Sequence, residues 1–154
     1  MLDRTQIFET TRCMCLASRR AARRITRRFD RVLRPLGLRT TQFTLLAALY
    51  LGGPRSIGAL AELLDAERST VSRNLALAEE HGWVALRADD TDARTRLARI
   101  TTPGERLLQT AFPVWRNVQS ELVRELGPEA SDALHRLAGG PCVLPLPHPT
   151  IEQN

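Results

Sequence analysis

The chain has 154 residues, 43% of them hydrophobic, 25% charged and 5% aromatic, which is the size of one domain or of a domain with an oligomerisation arm and excludes collagen-like and wholly disordered chains. No stretch approaches the ~18 consecutive apolar residues that cross a bilayer, and the opening MLDRTQIFETTRC carries no apolar signal region, so a cytoplasmic location with no membrane association is expected. The formal charge is +5, from 22 basic residues that are all arginine against 17 acids; because the guanidinium fork suits phosphate and carboxylate alike, nucleic acid is the first partner to consider.

That charge sits at one end. Residues 1–40 hold eleven Arg and three acids (+8), residues 41–101 seven and eight (−1), and residues 102–154 four and six (−2). The basicity therefore belongs to the first helix and not to the whole surface, and net charge alone is a weak argument for nucleic acid.

Residues from about Arg12 to Arg34 predict one long amphipathic helix. Cys15, Ala22, Ile25, Phe29 and Val32 recur at helical spacing to make an apolar stripe, with the small polar Ser18 in the remaining place. Arg19, Arg20, Arg23, Arg24, Arg27, Arg28 and Arg31 cover the rest, and Pro35 and Gly37 end the helix. Thr40 or Thr41 caps a second helix that buries Phe43, Leu45, Leu46 and Leu49 and stops at Gly52-Gly53-Pro54. Ser56 is the N-cap of a short third helix with Ile57, Leu60, Ala61 and Leu64. After Asp65-Ala66 a fourth helix runs from Glu67 to His81, closed by Gly82. Its inward stripe is Val71, Leu75 and Ala78, and Ser69, Thr70, Ser72, Arg73, Asn74 and Leu77 lie off it.

Trp83–Arg87 and Thr95–Ile100 read as strands of a hairpin around the acidic loop ADDTDAR, residues 88–94. Thr102-Pro103-Gly104-Glu105 then reads as a Thr cap, Pro at the first helical position and Glu at the third, a capping box. The fifth helix reaches about Leu126 with Leu108, Ala111, Trp115, Val118 and Leu122 inward and a bend expected at Pro113; Gly127-Pro128 breaks it, and residues 129–138 form a sixth. Four prolines in residues 139–154 predict an extended or disordered tail.

Helix, tight break, helix and hairpin is the order of a winged helix-turn-helix: a mainly α fold with a small β-hairpin wing. Its second helix enters the ~12 Å major groove while the hairpin reaches the adjacent minor groove. Ser69, Thr70, Ser72, Arg73 and Asn74 supply donors and acceptors; Arg73 suits guanine and Asn74 adenine, and either also suits a phosphate. Arg94 is the candidate for the negative potential of the minor groove.

The run LAELLDAERSTVSRNLALAEEHGWVALRADDTDARTRLARITTPGERLL, residues 60–108, resembles the DNA-binding core of MarR-type transcriptional regulators. The S-T-V-S-R-N-L helix, the E-E-H-G-W-V exit, the D-x-R wing of Asp92-Ala93-Arg94 and the I-T-x-x-G close carry the resemblance, and the helix order extends it over roughly residues 12–138. It implies a homodimer on a near-palindromic double-stranded operator, with Arg94 at the wing tip and Asp92 orienting it. The implied division is an N-terminal dimerisation helix (1–39), a winged helix-turn-helix lobe (40–101), C-terminal dimerisation helices (102–138) and the tail (139–154). Glu121, Glu125, Glu129 and Asp132 of the dimerisation helices then become the natural partners of the Arg-rich first helix. Departures from the family pattern are Glu67 at the cap and Asp89, Asp90 and Asp92 in the wing, which argue against strong non-specific DNA affinity.

Cys13, Cys15 and Cys142 are too few for a disulfide framework, and three Cys with three scattered His (His81, His135, His148) do not build a structural zinc site. Two helical residues two apart point ~200° away from each other, so Cys13 and Cys15 chelate one ion only where the helix start unwinds or the other subunit supplies ligands. Some MarR relatives sense oxidants through a Cys near the start of the first helix and another near the C-terminus of the other subunit, a layout that Cys15 and Cys142 resemble. The effector is thus read as an oxidant or thiophilic metal acting on these thiols, or a small organic ligand in a site near Arg27, Phe29 and Phe43. No P-loop, GxGxxG, HExxH or nucleophile elbow is present, so no enzyme activity and no cofactor are expected. The rival readings are a winged-helix protein-interaction module and a thiol redox protein.

Overall fold

A computed structural model describes residues 3–89 and 95–140; Asp92, Arg94, Cys142 and the tail beyond residue 140 lie outside them. The described elements are α1 (Arg4–Phe8), a 3-10 turn (Glu9–Arg12), α2 (Met14–Leu33), a second 3-10 turn (Arg34–Leu36), α3 (Thr40–Gly52), β1 (Arg55–Ser56), α4 (Ile57–Leu63), α5 (Arg68–Glu80), β2 (Val84–Ala88), β3 (Arg96–Ile100) and α6 (Thr102–Leu137). This is the mainly helical winged fold that the pattern predicts.

α3 is the hub. It is apolar on most of its surface and buries Phe43, Leu45, Leu46, Ala48 and Leu49, packing against α2, α5, α6 and β3. Leu33, Leu38, Leu60 and Leu75 complete the fully buried centre. The sheet order is β1-β3-β2, all antiparallel. In the hairpin Val84 pairs with Ile100 and Leu86 with Ala98, so the buried Val84 and Ala98 face the core.

Several boundaries differ from the expected ones. The first long helix starts at Met14 and not near Arg12, because residues 4–12 form their own short turns. Only its lower half is covered: Phe29 and Leu33 are buried, Ile25 and Val32 half-buried, and Cys15, Ser18 and Ala22 exposed. β1, two residues paired with Leu97 and Ala98, is a third strand that no periodicity announces. Ser56 caps α4 as expected, accepting from the Ala59 amide at 3.2 Å.

The cap of α6 is Thr101, one residue earlier than expected. Its Oγ1 accepts from the Gly104 amide at 3.2 Å and donates to the Gly82 carbonyl at 2.6 Å, so tertiary contact with the α5–β2 turn fixes the register. The third helical position is then Gly104 and not Glu105, and no capping box with Glu105 forms. Gly104 is buried against the foot of the hairpin, where a Cβ would lie 2.2 Å from the Trp83 carbonyl oxygen and 2.9 Å from Ile100 Cγ1. Pro113 keeps helical dihedrals; the break falls at Gly127, whose φ of 73° and ψ of 167° kink the element. That left-handed φ suits glycine, and the missing N–H of Pro128 follows it.

Candidate nucleic-acid interface

α5 is amphipathic along the expected line. Val71, Leu75 and Ala78 are buried against the core, while Ser69, Ser72 and Arg73 are exposed and Thr70 and Asn74 half-buried. Several of these side chains are engaged within the protein: Ser69 Oγ donates to Glu67 Oε2 at 3.4 Å. Arg73 Nη2 donates to Thr70 Oγ1 at 3.4 Å. The Asn74 amide donates through Nδ2 to the Thr70 carbonyl at 3.1 Å and accepts through Oδ1 from the Thr41 hydroxyl at 3.4 Å. Asn74 therefore ties α5 to the first turn of α3, and the outward polar face is left to Ser69, Ser72 and the flexible Arg73.

The hairpin follows directly. His81 stacks on Trp83 with centroids 4.5 Å apart, and the Leu86 amide donates to Glu79 Oε1 at 3.2 Å, fastening β2 to α5. The Asp89 amide donates to the Thr95 carbonyl at 2.8 Å and marks the outer end of the described hairpin. Arg87, Arg96 and Arg99 are exposed along its strands, cations that the sequence reading left out of the interface.

The N-terminus of α3 is held from the other side by α2. Asp30 Oδ1 accepts from the Thr40 amide at 2.8 Å and the Thr40 hydroxyl at 2.6 Å. Partial burial pushes the Asp30 carboxyl up, but the two Thr40 hydrogen bonds and the nearby Arg39 and Arg34 charges outweigh it and hold the pKa below the ordinary carboxylate value. The Gln42 side chain accepts from the Arg39 amide at 2.8 Å, so neither Thr40 nor Thr41 is the cap. No local pattern signals a cap supplied by a carboxylate ten residues away.

Between α3 and α6 lies an apolar cavity of about 660 Å³ lined by Phe43, Thr44, Ala47, Tyr50, Leu51, Leu64, Leu108, Gln109, Phe112 and Trp115, among others, with no charged side chain in its wall. Trp115 is its centre, stacked on Phe43 at 5.5 Å, Phe112 at 5.7 Å and Phe29 at 6.1 Å. Of the three residues placed at an effector site from the sequence, Phe43 lines this cavity, Phe29 packs on Trp115 without lining it, and Arg27 is exposed on α2. The remaining wall was missed because it comes from two helices some sixty residues apart.

Cys13 is not in a helix. It is the residue before α2, with φ −59° and ψ 121°, and both Cys13 and Cys15 are exposed free thiols. The opposed-direction argument for helical neighbours thus fails here, and Cys15 is not the buried hydrophobe its stripe position suggests. Among the described residues no three His, Cys, Asp or Glu gather into a metal-binding group, and no helix is long and apolar enough to cross a membrane.

Residues 36–95 match the MarR family model. The HTH-type transcriptional regulator YwoH of Bacillus subtilis is 28% identical over 117 residues, spanning 76% of this chain and 85% of that protein. The M. tuberculosis transcriptional regulator MosR, solved in complex with DNA, is 37% identical with a TM-score of 0.74, covering 82% of this chain and 94% of that one. A cysteine-to-serine mutant of E. coli MarR complexed with operator DNA, at 21% identity, shares the fold with a TM-score of 0.72 over 90% of this chain and 97% of that one.

Proposed function

Because this chain belongs to the MarR family of winged-helix transcriptional regulators, we propose that it is a homodimeric repressor that binds a near-palindromic operator and leaves it when an effector repositions its DNA-binding lobes. The carrying observation is α5: three apolar residues seat it on α3 and the hairpin while Ser69, Ser72 and Arg73 face outward. Thr70 and Asn74 set its geometry, and Arg94 and Asp92 are assigned the wing tip. The dimer reading is supported by apolar side chains left uncovered at both ends, including Phe8 (69% exposed) and Leu16 before and on α2, and Leu126, Leu134 and Leu137 (82% exposed) on α6.

A salt-controlled gel shift on the DNA upstream of its own gene tests this. Arg73→Ala and Arg94→Ala are each expected to weaken operator binding by roughly 1–3 kcal/mol, Arg73→Ala with relaxed sequence preference. Equal loss on random and operator DNA reduces Arg73 to a phosphate contact, and a wild-type protein that shows no specific band is a protein-interaction module instead.

The uncharged cavity beside α3 supports a small organic effector, since α3 both walls it and holds Asn74 of α5 through Thr41. A second reading rests on Cys13 and Cys15: an exposed thiol just before the helix and another at its second residue. On that reading peroxide or arsenite releases DNA from the wild type but not from Cys15→Ser; release from both alike ends it.

A further inference from the structure

α5 carries one large side chain that its polar outward face does not account for. Leu77 is 42% exposed, and its neighbour Ala76 is exposed as well. At 100° per residue both lie about 130° round the helix from the centre of the buried Val71, Leu75 and Ala78 stripe. Leu77 stands one turn beyond Arg73 and about 40° from it; Ala76 stands two turns beyond Ser69 and about 20° from it. The line that begins with Ser69, Ser72 and Arg73 thus continues into an apolar third turn.

This apolar turn lies apart from the side chains that the dimer reading uses, which sit before and on α2 and on α6. α5 packs chiefly on α3, α4 and β2. Beyond Leu77 come the exposed Glu79 and Glu80, whose carboxylates phosphates repel, and Glu79 is fastened to the Leu86 amide. On the same outward face Asn74 is engaged by Thr41 and Thr70, so hydrogen-bonding readers are few.

We propose that Leu77, with Ala76 beside it, is a specificity-determining residue that reads thymine methyl groups in the operator. The proposal rests on the operator-binding reading above, in which α5 lies in the major groove. Base edges there present hydrogen-bond donors and acceptors, and the one apolar group among them is the C5-methyl of thymine. An isobutyl group set against a donor or acceptor strips its water and returns no hydrogen bond. Set against the methyl, it buries apolar area on both partners. Leu77 therefore favours thymine and penalises the other bases at the same position.

The test replaces thymines of the gel-shifted upstream site by deoxyuridine, one at a time, deleting the methyl and keeping every hydrogen-bonding group. Affinities of the full-length wild type, Leu77→Ala and Leu77→Met are measured by anisotropy from about 50 to 200 mM salt, the range in which phosphate contacts show. At one or more thymines deoxyuridine is expected to weaken the wild type about fourfold, the worth of one buried methyl group. Leu77→Ala binds both duplexes equally, Leu77→Met keeps the discrimination, and each variant keeps the wild-type salt slope because no phosphate contact is lost. A wild type indifferent to every deoxyuridine overturns the proposal. Equal losses in wild type and Leu77→Ala also overturn it, since a variant that is merely less stable weakens all duplexes alike. A changed salt slope in Leu77→Ala overturns it too, making Leu77 a spacer for phosphate contacts. A wild type with no specific band on the unsubstituted site overturns the operator reading itself, a distinct failure.

Discussion

Gly104→Ala is expected to destabilise the fold by about 3 kcal/mol, at the upper end of what overpacking a core contact costs, read as a drop in the urea midpoint. In an ordinary helix the same change stabilises by up to about 1 kcal/mol, so the sign is diagnostic. Here the added carbon meets the Trp83 carbonyl oxygen, a backbone atom that cannot rotate away, and Ile100 behind it. The Thr101 amide donates to that same carbonyl at 3.0 Å, so moving it breaks the joint between the hairpin foot and α6. DNA affinity should fall with stability, because the wing and α5 share that foot. A stabilised Gly104→Ala protein would mean that α6 and the hairpin are not in close contact.

Trp115→Ala is expected to cost a further large amount, about 3 kcal/mol, and to abolish any response to a cavity-bound ligand. One indole carries three ring contacts, with Phe29 of α2, Phe43 of α3 and Phe112 of its own helix. Its removal opens the wall between cavity and core. Trp115→Phe keeps a ring in place and should lose less than half as much. Thermal or urea unfolding with and without candidate aromatic effectors checks both claims, and a Trp115→Ala protein that retains full ligand response would place the effector elsewhere.

Much of this was legible in the residue pattern because it is local. The 3.6-residue recurrence of Val71, Leu75 and Ala78 fixes which face of α5 points outward, and Ser56 caps α4 through its own third residue. What escaped is set by distant parts of the chain. Thr101 rather than Thr102 caps α6 because the Gly82 carbonyl accepts its hydroxyl. The α3 N-terminus is held by Asp30, and the Asn74 amide, in isolation an adenine reader, is engaged by Thr41. β1 exists only because β3 is there to pair with it. The Arg-rich α2 shows the same limit: of Glu121, Glu125, Glu129 and Asp132, read as its partners, Glu121 and Glu125 both meet one arginine, Arg28, among the described residues.

The chain's two tryptophans occupy the two places that matter. Trp83 sits at the hairpin foot, stacked on the imidazole of His81, while Trp115 stands in the cavity wall among phenylalanines. Their emission is therefore separable by single Trp→Phe variants. Light from Trp115 reports cavity occupancy, and light from Trp83, at the hairpin foot, reports the state of the wing. The molecule is its own two-channel fluorimeter, able to time ligand entry against wing movement with no added dye.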